Sequence, residues 1–259
     1  MSTQHVLVLE NTPDSFPGMI LAPFARNPEQ EAAEDDVSFI PEIAAFAPPD
    51  INSTPQELFP AGVNYDCFNV PHDRFIHIQH RRIILIYTDG ACLMNGDVSA
   101  TAGCAFYFRP PGPTAFGSTT GIISFRLEDK GPDAKPAPQT SNRAELRAVI
   151  AALEFRVWYG EGQKHLVIAT DSEYVVLGIT QWVKTWAQNG WRNSKGKPVA
   201  NRDLWEFLLK ELRNCKRNDF LVSFWRIPRE LNTVADGAAK LAALEPAVER
   251  YTKQMGMMV

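Results

Sequence analysis

Four carboxylates carry the clearest chemical signal in this 259-residue sequence. Asp89 and Asp171 each close a short apolar run, IILIY (Ile83 to Tyr87) in one case and HLVIAT (His165 to Thr170) in the other. Glu145 and Asp236 fall early in segments whose apolar residues recur at helical spacing. Taken singly, an Asp before Gly reads as a turn residue and a lone acid on a helix as part of a solvated face. Their joint placement points elsewhere, because catalytic groups in an open sheet collect at the carboxyl ends of adjacent strands. Carboxylates gathered there repel one another unless a cation compensates. Oxygen donors without an accompanying His or Cys set favour Mg²⁺, with Mn²⁺ as a substitute, over zinc. Two such ions about 3.5 to 4 Å apart can activate a water and stabilise a departing oxygen in phosphodiester hydrolysis.

The elements that must position these acids are legible from Arg82 onward. IILIY is rich in β-branched residues and reads as a buried strand. TAGCAFYF (Thr101 to Phe108) and GIISF (Gly121 to Phe125), separated by RPPGP, are two more strands of an antiparallel meander. Thr140, Ser141 and Asn142 are helix-capping types, and Leu146, Val149, Ile150, Leu153 and Val157 follow at helical spacing. HLVIAT is a fourth strand, with a helix from Ser172 to about Trp186 behind it. A polar loop, NGWRNSKGKP, leads to a helix over Asn201 to Arg213, a fifth strand FLVSFW and a last helix from Asn232 to Leu244. The pattern predicts an α/β or α+β layered domain with helices packed on a mixed sheet.

Charge divides the chain. Residues 1–75 hold twelve acidic and two basic residues, a balance of −10, so a chain with a total of −4 has +6 on its remainder. A basic body suits a polyanionic partner. The first 75 residues are rich in Pro and acids and lack a sustained period, so they read as a largely disordered leader, with the catalytic domain over 76–259 and its core at about 82–245. Four cysteines without a CxxC pair indicate neither a zinc knuckle nor a disulfide framework. No presequence and no apolar stretch of membrane-spanning length is apparent, which reads as an intracellular protein of nucleus or cytoplasm. No protein partner is identifiable, and a monomer is expected.

The motifs, in order, resemble those of type-1 ribonuclease H: YTDGA (Tyr87 to Ala91), TSNRAEL (Thr140 to Leu146), ATDSEYVVLGI (Ala169 to Ile179), the Trp182 to Trp191 block, GKPVANRDLW (Gly196 to Trp205) and ADGAAKLA (Ala235 to Ala242). Any one block alone is weak; six in register are not. The resemblance implies an α/β, ribonuclease H-like fold, a five-stranded mixed sheet of three antiparallel strands and then parallel ones flanked by helices, with a two-metal site that hydrolyses the RNA strand of an RNA–DNA hybrid and leaves a 5′-phosphate. It assigns Asp89, Glu145, Asp171 and Asp236 as metal ligands. It places Cys92, Asn95, Asn142 and Glu145 in the hybrid's minor groove at the 2′-OH groups, and Thr140 and Asn201 in a pocket for a DNA phosphate. Trp182 and Trp186, interleaved with Lys184, Arg192, Lys195 and Lys197, match the family's basic protrusion along the DNA strand, where cations neutralise phosphates and indoles pack on sugars or bases. Trp182 and Trp186 at helical spacing also fit a helix core.

Three departures stand out. The family's His-bearing loop before the last acid is replaced by WRIPRELNTVAD, which runs straight from strand to helix; Glu230 or Arg229 of that segment could approach the site, Glu230 as a proton shuttle. Pro138 stands where a basic residue is common in the phosphate pocket, with Lys135 on the same loop. Met94, Ser141 and Leu177 replace polar types. The main alternative to a hydrolase is a non-catalytic hybrid-binding protein that kept the fold, and a protein acting through its acidic leader has no motif behind it.

Overall fold

Alternation along one strand divides the core into two layers. In β4 (Ile83–Leu93), Ile84 and Ile86 face a cluster with Leu146, Val149 and Leu208, whereas Leu85 and Tyr87 face a second cluster with Val167, Trp225 and Ala235. Successive side chains of a strand point to opposite faces, so a continuous apolar run requires cover on both. The first face is covered by α2 (Ser141–Glu154) and α5 (Arg202–Arg217), and α6 (Thr233–Ala242) packs on the other. Ile84, Leu85 and Ile86 are fully buried; burying such a side chain contributes about 1.5 to 3 kcal/mol.

The computed structural model describes residues 40–66, 69–114, 117–119 and 121–256. All five predicted strands are present: β4, β5 (Thr101–Tyr107), β8 (Ile122–Arg126), β9 (His165–Thr170) and β10 (Leu221–Arg226). β5 lies antiparallel between β4 and β8, and β9 and β10 continue in parallel from the other edge of β4. The connection from β5 to β8 carries a small hairpin, β6 (Gly112–Thr114) with β7 (Gly117–Thr119). The helix expected from Ser172 to Trp186 is interrupted: α3 (Glu173–Leu177) passes through a widened turn at Gly178–Trp182 before α4 (Val183–Gln188). Gly178 lies against the Trp205 indole, where a Cβ would come within 2.2 Å of a ring carbon.

The boundary expected at residue 75 moves. β1 (Ala44–Ala45) pairs in parallel with β10, β2 (Ala61–Tyr65) pairs with β3 (Pro71–Ile76), and β3 pairs antiparallel with the start of β4, on the edge that β5 leaves free further along. These strands bring the sheet to eight. Between β1 and β2, α1 (Pro55–Leu58) begins with Thr54, whose hydroxyl accepts from the Glu57 amide while Glu57 accepts from the Thr54 amide. Scattered apolar residues hold the segment: Phe46 packs on Trp225 with ring centroids 5.1 Å apart, and Phe59 on Phe46 at 5.7 Å. Periodicity could not reveal this, because α1 is one turn long and β1 two residues. The leader before residue 40 lies outside the described residues. Among the described residues, no helix is long and apolar enough to cross a membrane.

Phe59 is fully buried in the second cluster. Phe59→Ala is expected to destabilise the protein by about 3 to 5 kcal/mol in denaturant unfolding. A change below about 0.5 kcal/mol, typical of an unstructured or surface position, would show that the segment is not part of the folded body.

Candidate active site

The register that pairs Tyr87 with Ala169 carries two residues further to Asp89 and Asp171: Asp171 directly follows the carboxyl end of β9, whereas Asp89 lies within β4, which runs on past the expected Asp89-Gly90 turn to Leu93 because β5 pairs with it there. Glu145 arrives from the first helical layer. Its closeness depends on Gly90, where a Cβ would stand 2.0 Å from the Glu145 amide nitrogen, so only glycine lets α2 lie this near β4. Asp236 arrives from the opposite layer, on the first turn of α6, and Gly103 of β5 performs the same service there against the Ala239 carbonyl, 2.3 Å from its would-be Cβ.

Electrostatics register the crowding. Asp89 is buried and its carboxyl is pushed up to about 8, by burial first, then by the charge of Asp171 and a hydrogen bond shared with it, then by Asp236 and Glu145. Glu145 is pushed up to about 7 by burial, against a hydrogen bond from the Ser172 hydroxyl that favours the charged form, with Asp171 adding to the rise and Arg229 opposing it. For Asp236, burial would raise the carboxyl, but hydrogen bonds from Lys240 at 2.6 Å and Arg229 at 2.8 Å hold it below its ordinary value.

Among the described residues, no three His, Cys, Asp or Glu side chains form a ready-made metal cage. Asp236 accepts from Arg229 and Lys240, Glu145 from Ser172, and Asp171 from Asn232. The donor chemistry nevertheless fits a hard divalent cation. All four donors are carboxylates, and the charges of neighbouring acids add to burial in raising Asp89 and Glu145.

Sequence reasoning missed the residue that ties the site together. Asn232 reads as a helix cap, yet its side chain makes no capping bond. It is buried and donates to the Thr88 carbonyl and to Asp171 Oδ1, both at 3.0 Å, joining β4, the end of β9 and the start of α6. The preceding turn, Arg229–Leu231, directs Arg229 to Asp236, with its Nε 4.0 Å from Asp171 Oδ2, whereas Glu230 is exposed. Of the two candidates on this turn, Arg229 is the one that meets the carboxylates. His165 lies at the opposite end of β9, hydrogen-bonded to Ser223.

The other candidates fall into two groups. Cys92, at the end of β4, lies with its sulfur 3.5 Å from the Gln139 carbonyl, and Thr140 caps α2 by accepting from the Arg143 amide. Asn142 is exposed on the first turn of α2 and Asn95 on the turn after β4. Asn201, which precedes α5, joins Thr140 through Arg143, whose guanidinium reaches Asn201 Oδ1 at 3.4 Å and Asp203 at 2.6 and 2.9 Å. Arg143 was hidden inside the TSNRAEL block. Lys135 forms an ion pair with Asp133 at 3.1 Å.

The second group is the loop after α4. Asn193 Oδ1 accepts from the amides of Lys195 and Lys197, and Arg192 donates to the Gly196 carbonyl, which holds three exposed cations on a tight loop. Trp191 is buried beneath it. Trp182 is partly exposed, but Trp186 packs between Trp182 and Trp205, so it braces the protrusion more than it faces outward. Lys184 is exposed and lies 3.5 Å from Glu42 of the N-terminal segment.

A mixed sheet of this topology, with acids from two neighbouring strands and from both helical layers, defines the ribonuclease H-like class. The family profile described as RNase H matches residues 81–243. A ribonuclease H of Cyanothece sp. is 40% identical over 130 residues, covering 50% of this chain and 71% of that protein. Ribonuclease H of Sodalis glossinidius is 35% identical over 170 residues, covering 65% and 90%, and that of Escherichia coli is 38% identical over 165 residues, covering 63% and 91%. The chain belongs to the ribonuclease H family and is a hydrolase of that family.

The raised carboxyls have a consequence for stability. An unfolded Asp titrates near 3.9 and a Glu near 4.3, below the folded values of about 8 and about 7. Between those limits the folded state retains protons that the unfolded state has released. The stability contributed by Asp89 and Glu145 is therefore present at low pH and is lost as pH rises from about 4 to about 8. In thermal unfolding of metal-free protein, Asp89→Asn should flatten this decline. Mg²⁺ should raise the melting temperature more at pH 8 than at pH 5, since carboxylates bind metal in their charged form. An Asp89→Asn profile that parallels the parent's would remove Asp89 as the source.

Proposed function

We propose that this protein is an endonuclease that cleaves the RNA strand of RNA–DNA hybrids, dependent on two divalent cations, Mg²⁺ or Mn²⁺, and leaving 5′-phosphate ends. The observation that carries this reading is the carboxylate cluster itself. Asp89, Glu145, Asp171 and Asp236 are assembled from four separate elements, and burial with mutual repulsion raises two of them. Such a cluster is destabilising without a compensating charge, and a protein that only bound hybrids would have no use for it. The relatives named ribonuclease H support the same activity.

In this reading the four acids hold the cations, which supply neutralising charge for the attacking water and the departing oxygen. Asn232 fixes Asp171 to β4, and Ser172 orients Glu145. Cys92, Asn95 and Asn142 face the minor groove, where the 2′-OH distinguishes RNA from DNA. Thr140 and Asn201, joined by Arg143, receive a phosphate of the DNA strand. Trp182, Lys184, Arg192, Lys195 and Lys197 follow that strand as a cationic ridge, with Trp186 behind it. Arg229 supplies positive charge beside Asp236 and Asp171 on the turn where the family's loop carries a His.

Two experiments test the reading. Purified protein with Mg²⁺ or Mn²⁺ should cut a labelled hybrid in its RNA strand, and Asp171→Asn should lower the rate by about 10³-fold or more, the scale of losing a group that acts in the transition state. Binding without cleavage by the parent protein would establish the non-catalytic alternative. Lys195→Ala with Lys197→Ala should weaken binding to hybrids of any sequence and reduce the salt slope by about 1 for each phosphate no longer neutralised. An unchanged slope would take the ridge out of the interface.

A further inference from the structure

Beside the carboxylates lies an open cleft of about 510 Å³ lined by Asp171, Arg226, Ile227, Pro228 and Arg229. This volume is within the range of small-ligand sites. Its floor is stiff: Ile227 is buried, its amide donates to the Thr170 carbonyl at 3.0 Å, and Pro228 has a fixed φ. Two guanidinium groups flank the cleft. Arg229 is engaged with Asp236, whereas Arg226, the last residue of β10, points to Glu173 on the first turn of α3 at 2.6 Å.

That second pair is more than half exposed on both sides. An exposed pair of this kind is weak, about 0 to 1 kcal/mol, so an arriving anion can displace Glu173. A guanidinium fork matches phosphate oxygens in a way a point charge does not. An Arg on the rim of a cleft whose other wall is a cation-binding carboxylate is therefore suited to a phosphodiester adjoining the one that is cut.

We propose that this cleft is a subsite for an RNA-strand phosphodiester within one or two nucleotides of the cleaved bond, and that Arg226 is the positioning residue that grips it. The proposal rests on the hybrid-cleavage reading above. Glu173 acts as a placeholder that keeps the Arg226 guanidinium oriented until RNA arrives.

The test uses hybrids in which a methylphosphonate neutralises one RNA phosphate at a time around the cleavage site. Binding is measured in Ca²⁺ to suppress turnover, and cleavage in Mg²⁺. Arg226→Ala should raise Kd and KM about tenfold with kcat little changed, and reduce the salt slope by about 1. At one neighbouring position the methylphosphonate should weaken the parent but not Arg226→Ala. Arg226→Lys should recover part of the affinity, and Glu173→Gln should tighten binding. If Arg226 acted only through its ion pair, the Ala and Gln variants would weaken binding alike, and the proposal would fail. It would also fail if Arg226→Ala bound and cut as the parent does. Should the parent bind hybrids without cutting them, the hydrolase reading falls, and the subsite is judged on the binding results alone. Should it bind none, both fall.

Discussion

Carboxylates set side by side away from water repel one another, and this site works only because backbone contacts hold them together against that force. At Gly90 and Gly103 the missing side chains let α2 and α6 approach β4 and β5 closely, one from each face of the sheet. A methyl group at either position would push a helix outward, and with it Glu145 or Asp236. Asn232 supplies the third restraint by joining Thr88 and Asp171 from a buried position. The packed core thus supports a concentration of negative charge that it could not tolerate in isolation.

Without a metal, Arg229, Lys240 and the Ser172 hydroxyl offset part of that charge. These contacts keep Asp236 charged and Glu145 oriented, yet they leave Asp89 and Asp171 sharing a hydrogen bond. The straight connection from β10 to α6 shapes this arrangement. By turning once at Arg229–Leu231 and entering α6 through Asn232, it places a permanent cation, not a titrating imidazole, at the mouth of the site. The same shortness leaves the floor of the adjoining cleft open between Arg226 and Arg229.

Residues 40–76 enlarge the platform on which this site stands. β3 fills the edge of β4 that β5 does not reach, β1 covers the outer edge of β10, and Phe46 and Phe59 bury Trp225. Covering a strand edge satisfies backbone groups that would otherwise invite pairing with other chains. Glu42 on this segment reaches Lys184 on α4, so the addition meets the protein next to its cationic ridge.

The five central strands, the capped helix α2 and all four acids were legible in the sequence, because they depend on local rules: apolar alternation, capping types, and acids placed directly after apolar runs. Tertiary structure decided what local rules do not reach. Phe46 and Phe59 gave no period because their partners, Trp225 and His77, are distant in sequence. Asn232 had the composition of a helix cap and became a cross-link, since a buried amide takes whatever partners surround it. Trp182 and Trp186, alike at helical spacing, were separated into an outward ring and a brace by the position of Trp205. The choice between Arg229 and Glu230 likewise turned on the direction of a single turn, which three-dimensional packing sets and residue type alone does not.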